Sequence, residues 1–237
     1  MKGEWLIFLG LSGSLAGVST TWADAARVSI GTGAEAFSID RTEVTIDQFR
    51  AYANERGLKT AAELDGGGFE YGFGWQRRAG WTYQTPFGEA AAGDEPAVHV
   101  SWHEARAYCQ SVGGDLPDRA QWEKAAYQET RDNPPAPFES GKTYPYPTGM
   151  QPEGANTKGD EDGWGGHAPV ARFAPGVNGL YDMGANVWEW LLDAEGDRRL
   201  TAGGSWWYGP QKMQASGMQY KAADFYAVYV GFRCVYR

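Results

Sequence analysis

Apolar and polar residues alternate over two short stretches near the start of the folded chain. Val28 and Ile30, then Phe37 and Ile39, predict strands over 27–30 and 37–39, separated by a Gly-containing turn. From Ile46 the period lengthens. Ile46, Phe49, Ala51 and Tyr52 recur near helical spacing until Gly57, which predicts a first amphipathic helix. Residues 66–93 carry Phe69, Tyr71, Phe73, Trp75, Trp81, Tyr83 and Phe87 among many glycines, with no sustained period. They read as a long structured loop whose rings pack onto the body as core rather than forming a ligand cage. Ser101-Trp102-His103-Glu104 has the form of a capping box, in which serine and glutamate each satisfy a free backbone N–H. It predicts a second helix from Trp102 to about Val112, stopped by Gly113-Gly114. Asp118-Arg119-Ala120-Gln121 opens a third helix in the same way and carries Trp122 and Ala125 towards the core. Beyond Asn133, Pro134, Pro135, Pro137, Pro145 and Pro147 exclude further long helices, so loops and short strands are expected, the last over Tyr229–Tyr236. The chain therefore reads as one α+β domain over 26–237, low in regular secondary structure.

The first residues read differently. Lys2 precedes an apolar stretch from Trp5 to about Ala16, and Ala23-Asp24-Ala25 follows, which is the layout of a secretory signal peptide over 1–25. The stretch is shorter than the roughly 20 apolar residues of a membrane span, and no later one is longer. A periplasmic or secreted protein without a retained span is expected. Lys and Arg number 21 against 30 Asp and Glu, for a net charge of -9, which repels phosphate backbones and argues against a nucleic-acid partner. Loss of Lys2, Glu4 and Asp24 with the leader would leave that acidic balance intact. With 33 Gly, 11 Trp and 13 Tyr, the composition suits tight turns and large aromatic plugs. In an oxidising compartment the two cysteines, Cys109 and Cys234, read first as a candidate disulfide. Closing so long a loop removes roughly 4 to 5 kcal/mol of unfolded-chain entropy on the chain-entropy model. Buried free thiols, or one reactive thiol, are the alternative.

Familiar catalytic signatures are missing: there is no Gly-x-Ser-x-Gly elbow, phosphate loop or dinucleotide fingerprint. His99, in an apolar strand-like segment, and His103, on the next helix's first turn, read as structural histidines. His167 follows Gly165-Gly166, is expected to be more exposed, and is the weaker site candidate. Asp160-Glu161-Asp162 reads as a solvated or cation-facing acidic loop.

Several separated blocks follow one order. They are Ile39-Asp40-Arg41-Thr42-Glu43-Val44-Thr45, Pro96-Ala97-Val98-His99-Val100-Ser101-Trp102, Ala107-Tyr108-Cys109, Leu116-Pro117 with Gln121-Trp122-Glu123, Gly179-Leu180-Tyr181-Asp182-Met183, Asn186-Val187-Trp188-Glu189-Trp190, Gly203-Gly204-Ser205-Trp206 and Gly231-Phe232-Arg233-Cys234. This ordered set resembles the formylglycine-generating enzyme, or sulfatase-modifying factor, family across nearly the whole chain after the leader. The resemblance implies a single domain related to the C-type lectins, and a Cys109–Cys234 disulfide. It also implies two structural Ca2+ sites. The Asp182 and Glu189 side chains with the Ala185 and Val187 carbonyls would form one; Asn156, the Thr157 carbonyl, Asp162 and the Trp164 carbonyl would form the other, in a loop shorter than in sulfatase-activating members.

The active site departs from the family pattern. Members that make formylglycine use two cysteines, three and eight positions beyond the serine, to bind Cu(I). This chain has Tyr208 and Met213 there, while Trp188 and Ser205 are retained. Neither a phenol nor a thioether replaces a thiolate on Cu(I), so formylglycine formation by the family's route is not expected. Iron-using relatives draw a histidine triad from an additional domain that this chain lacks. Met213 with Met218 and Met150 leaves copper as a minor alternative. The runs Thr143-Tyr144-Pro145-Tyr146-Pro147-Thr148-Gly149 and Gly204-Ser205-Trp206-Trp207-Tyr208-Gly209 look most like NirV-type proteins encoded beside copper nitrite reductases. The expected function is an exported accessory or maturation factor that holds a protein or small-molecule client at Trp188, Ser205, Tyr208 and Met213. The alternatives are a metal-dependent oxidoreductase with a replaced site and a non-catalytic peptide- or glycan-binding module.

Overall fold

The structure, a computed structural model, describes residues 26–159 and 162–237. The leader assigned to 1–25 lies outside the described residues, as do Asp160 and Glu161. Helix and strand take up 22% and 23% of the described residues, and the rest of these are turn and loop.

Three helices begin where local capping chemistry puts them. Helix α1 (Ile46–Arg56) is capped by Thr45, whose hydroxyl accepts from Gln48 N while the Gln48 side chain returns a bond to Thr45 N. It buries Ile46, Phe49 and Ala53 along one stripe. A single turn, α2 (Ala61–Leu64), carries the same box on Thr60 and Glu63. Helix α3 (Trp102–Ser111) starts at the Ser101–Glu104 box and buries Trp102, Ala105, Tyr108 and Cys109. Helix α4 (Arg119–Tyr127) is capped by Asp118 and buries Trp122, Ala125 and Ala126.

Three sheets hold these helices together. Strand β1 (Arg27–Ile30) pairs antiparallel with β2 (Phe37–Asp40), and β2 pairs on its other edge with β9 (Val235–Tyr236), Ile39 opposite Val235. Strands β3 (Gly67–Gly72) and β4 (Gly74–Ala79) form a hairpin. The third sheet has the order β7 (Gln219–Ala222), β6 (Arg198–Ala202), β5 (Trp188–Glu195), β8 (Val230–Gly231), with β5 and β8 parallel. Three buried indoles tie helices to the third sheet: Trp102 Nε1 donates to Leu191 O at 2.8 Å, Trp190 Nε1 to Val100 O at 3.0 Å and Trp122 Nε1 to Glu189 Oε2 at 2.7 Å. One core gathers α1, α3, Trp188, Trp190 and Phe232; the other gathers β1, β2, α4, Leu191 and Leu200. Cys109 and Cys234 form the disulfide and join α3 to the residue before β9. Among the described residues no helix is long and apolar enough to cross a membrane.

Two expectations change. Residues 66–93 are not all loop, because Phe69 and Tyr71 pair across the hairpin with Arg77 and Trp75. Tyr83 is buried as core and Trp75 is half-exposed with its ring against Phe225 and Tyr229, whereas Phe73 projects outward from the turn of the hairpin. The expected strand over Tyr229–Tyr236 is two strands in different sheets, divided by Phe232-Arg233-Cys234.

Candidate functional site

The block from Asp182 to Glu189 is a loop in unusual backbone geometry that enters β5. Asp182, Ala185 and Asn186 have φ of 55, 68 and 48°, the left-handed region that non-glycine residues occupy only when surrounding bonds hold them there. Asn186 supplies those bonds. Its Nδ2 donates to Glu43 Oε1 at 3.0 Å, and its Oδ1 accepts from Ala168 N at 2.8 Å and Asn156 Nδ2 at 3.2 Å. Its own N–H reaches Asn156 O, and its carbonyl accepts from Trp206 N.

Below this loop lies a buried charge cluster. Arg233 and Glu189 are both fully buried, with Nη2 to Oε1 at 2.7 Å and Nε at 2.9 Å from both carboxylate oxygens. Glu43 and Asp182 lie beside them. Burial, then repulsion from Asp182, raises Glu43 well above the usual carboxylate range. Burial raises Asp182 to about 6.

The turn after β6 presents the retained serine. Gly203 and Gly204 take φ of +92 and +78°, and a Cβ on Gly203 would sit 2.9 Å from Met183 O, so the turn closes onto the Asp182–Glu189 loop only with glycine there. Ser205 is 1% exposed and its carbonyl accepts from Tyr208 N. Tyr208 folds back so that its ring meets buried Trp188 edge-on at 5.5 Å, with Tyr229 beyond it at 5.9 Å. Trp188, Ser205 and Tyr208 are thus brought together. Met213 is buried with its methyl over Gly184 and beside Pro147, and its carbonyl accepts from the Tyr127 hydroxyl. Met218 lies at the margin of the second core and Met150 is exposed. One residue of this region has no local signal in the sequence: Lys221 on β7, whose Nζ lies 4.5 Å from the Trp188 ring centre.

The histidines separate. His103 is exposed, and His99 is buried with Nε2 bonded to Pro86 O at 3.0 Å. His167 is 3% exposed rather than surface-facing, because Gly166 lets the backbone approach Phe87; a Cβ there would lie 2.6 Å from that ring. Burial lowers His99 to about 4 and His167 to about 3. Glu95 Oε2 lies 3.4 Å from His167 Nδ1.

Calcium fits the two implied donor sets unequally. Asn156 Oδ1, in the second set, is buried with no hydrogen-bond partner, which suits a hard cation. Thr157 is half-buried beside it, and Asp162 Oδ1 accepts from Trp164 N at 2.9 Å. In the first set Glu189 is engaged by Arg233 and Trp122, and Asp182 Oδ2 accepts from Ala171 N. The carboxylate oxygen left without a donor there is Glu43 Oε2. Among the described residues no group of three or more His, Cys, Asp or Glu side chains is arranged as a metal centre.

A disulfide anchored within α3, a loop bonded through Ala185 to Gly203 and through Asn186 to Trp206, and a Trp188–Tyr208 contact together match the order of blocks in the sequence. The model of the sulfatase-modifying factor enzyme 1-like domain matches residues 17–237, and the chain belongs to that family. It is 34% identical over 207 residues to the inactive C-alpha-formylglycine-generating enzyme 2 of Bos taurus, covering 72% of this chain and 65% of that one. It is 28% identical over 257 residues to the formylglycine-generating enzyme of Thermomonospora curvata, covering 84% and 81%. The chain therefore spans slightly less than two thirds of the bovine relative. Two solved structures share the fold: PvdO from Pseudomonas aeruginosa, with TM-score 0.63, 20% identity and coverage of 88% and 90%, and CarF, with TM-score 0.63, 23% identity and coverage of 89% and 97%.

Proposed function

We propose that this chain is a non-sulfatase member of the family, exported to the periplasm or exterior, which assists the maturation of an exported protein or metabolite. Its client is held at the surface above Trp188, Ser205 and Tyr208. The observation that carries this reading is the absence of a thiolate: Tyr208 and Met213 occupy the third and eighth positions beyond Ser205, and the two cysteines are joined to each other. The bovine relative named inactive supports it. The resemblance to NirV-type proteins makes a copper nitrite reductase the first client to try. Supplied with Cu(I), oxygen and a cysteine-containing sulfatase peptide, the oxidised protein is expected to leave the peptide thiol unconverted and to take up no oxygen. Conversion of that thiol to an aldehyde, read by mass spectrometry, would overturn the reading.

We also propose structural calcium, held by Asn156 and Asp162 with the Thr157 and Trp164 carbonyls, and by Asp182 with the Ala185 and Val187 carbonyls. Glu189 would share its carboxylate between Arg233 and the ion. A cation bound only to the folded state stabilises it by mass action, about 2.7 kcal/mol at a hundredfold excess over Kd. Chelation is therefore expected to lower the melting temperature and added Ca2+ to restore it. An identical melt with and without chelator would remove both assignments.

A further inference from the structure

We propose that Lys221 is a nucleophilic amine that captures an aldehyde borne on an aromatic or apolar group, forming an imine over the face of Trp188.

Gln219 and Lys221 lie on the half-buried side of edge strand β7, while Tyr220 and Ala222 face solvent. The lysine stem is thereby turned against the aromatic cluster. Its Nζ stands 4.5 Å from the Trp188 ring centre, and among the described residues its hydrogen-bond acceptor is Gln219 Oε1, at a long 3.3 Å. No carboxylate among those residues lies within ion-pair distance, whereas most of the chain's ion-paired cations sit at the surface beside an acidic partner. The neighbouring charge that bears on Lys221 is another cation, Lys212, which disfavours its ammonium form.

The surrounding groups are suited to a carbonyl. Trp188 contacts Tyr208, Tyr208 contacts Tyr229, and Trp75 of the hairpin lies 4.8 Å from Phe225 and 6.1 Å from Tyr229, so Lys221 borders a run of packed aromatic rings. Among the described residues the buried donor Trp188 Nε1 has no hydrogen-bond partner, and the buried Tyr229 hydroxyl has only the neighbouring Tyr208 phenol. Such groups are costly to leave unpaired, and an incoming oxygen acceptor would satisfy one of them. Burial, with Lys212 adding to it, lowers the Lys221 ammonium to about 7, so near neutrality a large fraction carries the free lone pair that attack requires.

The step balances without an oxidant or reductant. The Nζ lone pair bonds to the carbonyl carbon as the C=O π pair moves onto oxygen, where a phenol hydroxyl can hydrogen-bond it. The oxygen then takes both amine protons and departs as water, leaving a C=N bond. Hydrolysis reverses the sequence. The proposal shares Trp188 and Tyr208 with the client surface proposed above, but it depends on neither the identity of that client nor the metals.

The full-length oxidised protein is treated at pH 7 with benzaldehyde and cyanoborohydride, which reduces an imine to a stable benzylamine, and labelled lysines are mapped by mass spectrometry. Lys221 is expected to be labelled at least about tenfold faster than exposed Lys59 and Lys158, with a rate that saturates in benzaldehyde. Lys221→Arg should abolish the fast label. Tyr229→Phe should slow labelling of Lys221 while leaving Lys59 unchanged. Labelling of Lys221 no faster than that of Lys59 in the unaltered protein would overturn the proposal.

Discussion

Arg233→Met is expected to destabilise the fold by about 3 to 5 kcal/mol, the usual loss when one member of a buried ion pair is removed. Arg233 is fully buried and supplies charge to Glu189 while donating to Tyr181 O at 2.8 Å and Asp40 O at 3.1 Å. Without it Glu189 keeps the Trp122 indole as a donor but loses its counter-ion, in a low-dielectric space it shares with the carboxyl groups of Glu43 and Asp182. Arg233→Lys should fare little better, because an ammonium is a point charge and cannot serve a carboxylate and two carbonyls from one plane. Glu189→Gln should cost less than Arg233→Met, since the guanidinium keeps its two carbonyl partners and its attraction to Glu43 and Asp182. Urea unfolding with an unchanged denaturant slope measures this directly. A loss below about 1 kcal/mol for Arg233→Met would mean that water or a cation reaches the cluster.

The second large effect is a dependence on acid. His99 and His167 have folded pKa values of about 4 and 3, below the ordinary value near 6.5. Their contribution is complete above about pH 6.5 and is lost as pH falls, because the unfolded chain takes up the protons first. At pH 4.5 the loss is about 2.5 kcal/mol for each histidine and about 5 kcal/mol for the pair. Asp40 acts the other way. Burial raises it to about 6 despite bonds from Cys234 N and the Tyr236 hydroxyl, so its contribution grows as pH falls through 6 toward 4. The unaltered protein should therefore show a shallow pH profile in which opposing terms partly cancel. The His99→Gln, His167→Gln double variant should gain about 5 kcal/mol relative to it between pH 7.5 and pH 4.5, measured by denaturant unfolding at both. Parallel profiles would show that the folded protein admits protons to both rings.

Legibility in the sequence follows the range of the forces involved. The starts of α1, α3 and α4 are readable because Thr45, Ser101 and Asp118 act on an amide three residues away. The same signal stands at Thr60 and Glu63, where one turn of helix is too short to show a period. Hairpin β3–β4 is harder to see: glycines dilute its alternation, and the exposed Tyr71 and Trp75 are as aromatic as the less exposed Phe69. The division of 229–236 is set by tertiary bonds, since Arg233 must reach Glu189 and Cys234 must reach Cys109. Trp188, Ser205 and Tyr208 are legible from ordered blocks. Lys221 is not, because nothing beside it in the chain signals that a ring on β5 lies beneath it.

The pairing of β2 with β9 also governs when this domain can assemble. Asp40 meets Tyr236 across a separation of 196 residues, and Ile39 faces Val235. A chain made from its N-terminus exposes β2 with one edge open until β9 has emerged, and that closure carries the disulfide and Arg233 with it. Contacts this remote are slow to form and leave strand edges available for wrong pairing meanwhile. The nascent domain thus stays unfinished until β9 is made, and a stop before β9 would forfeit the seam.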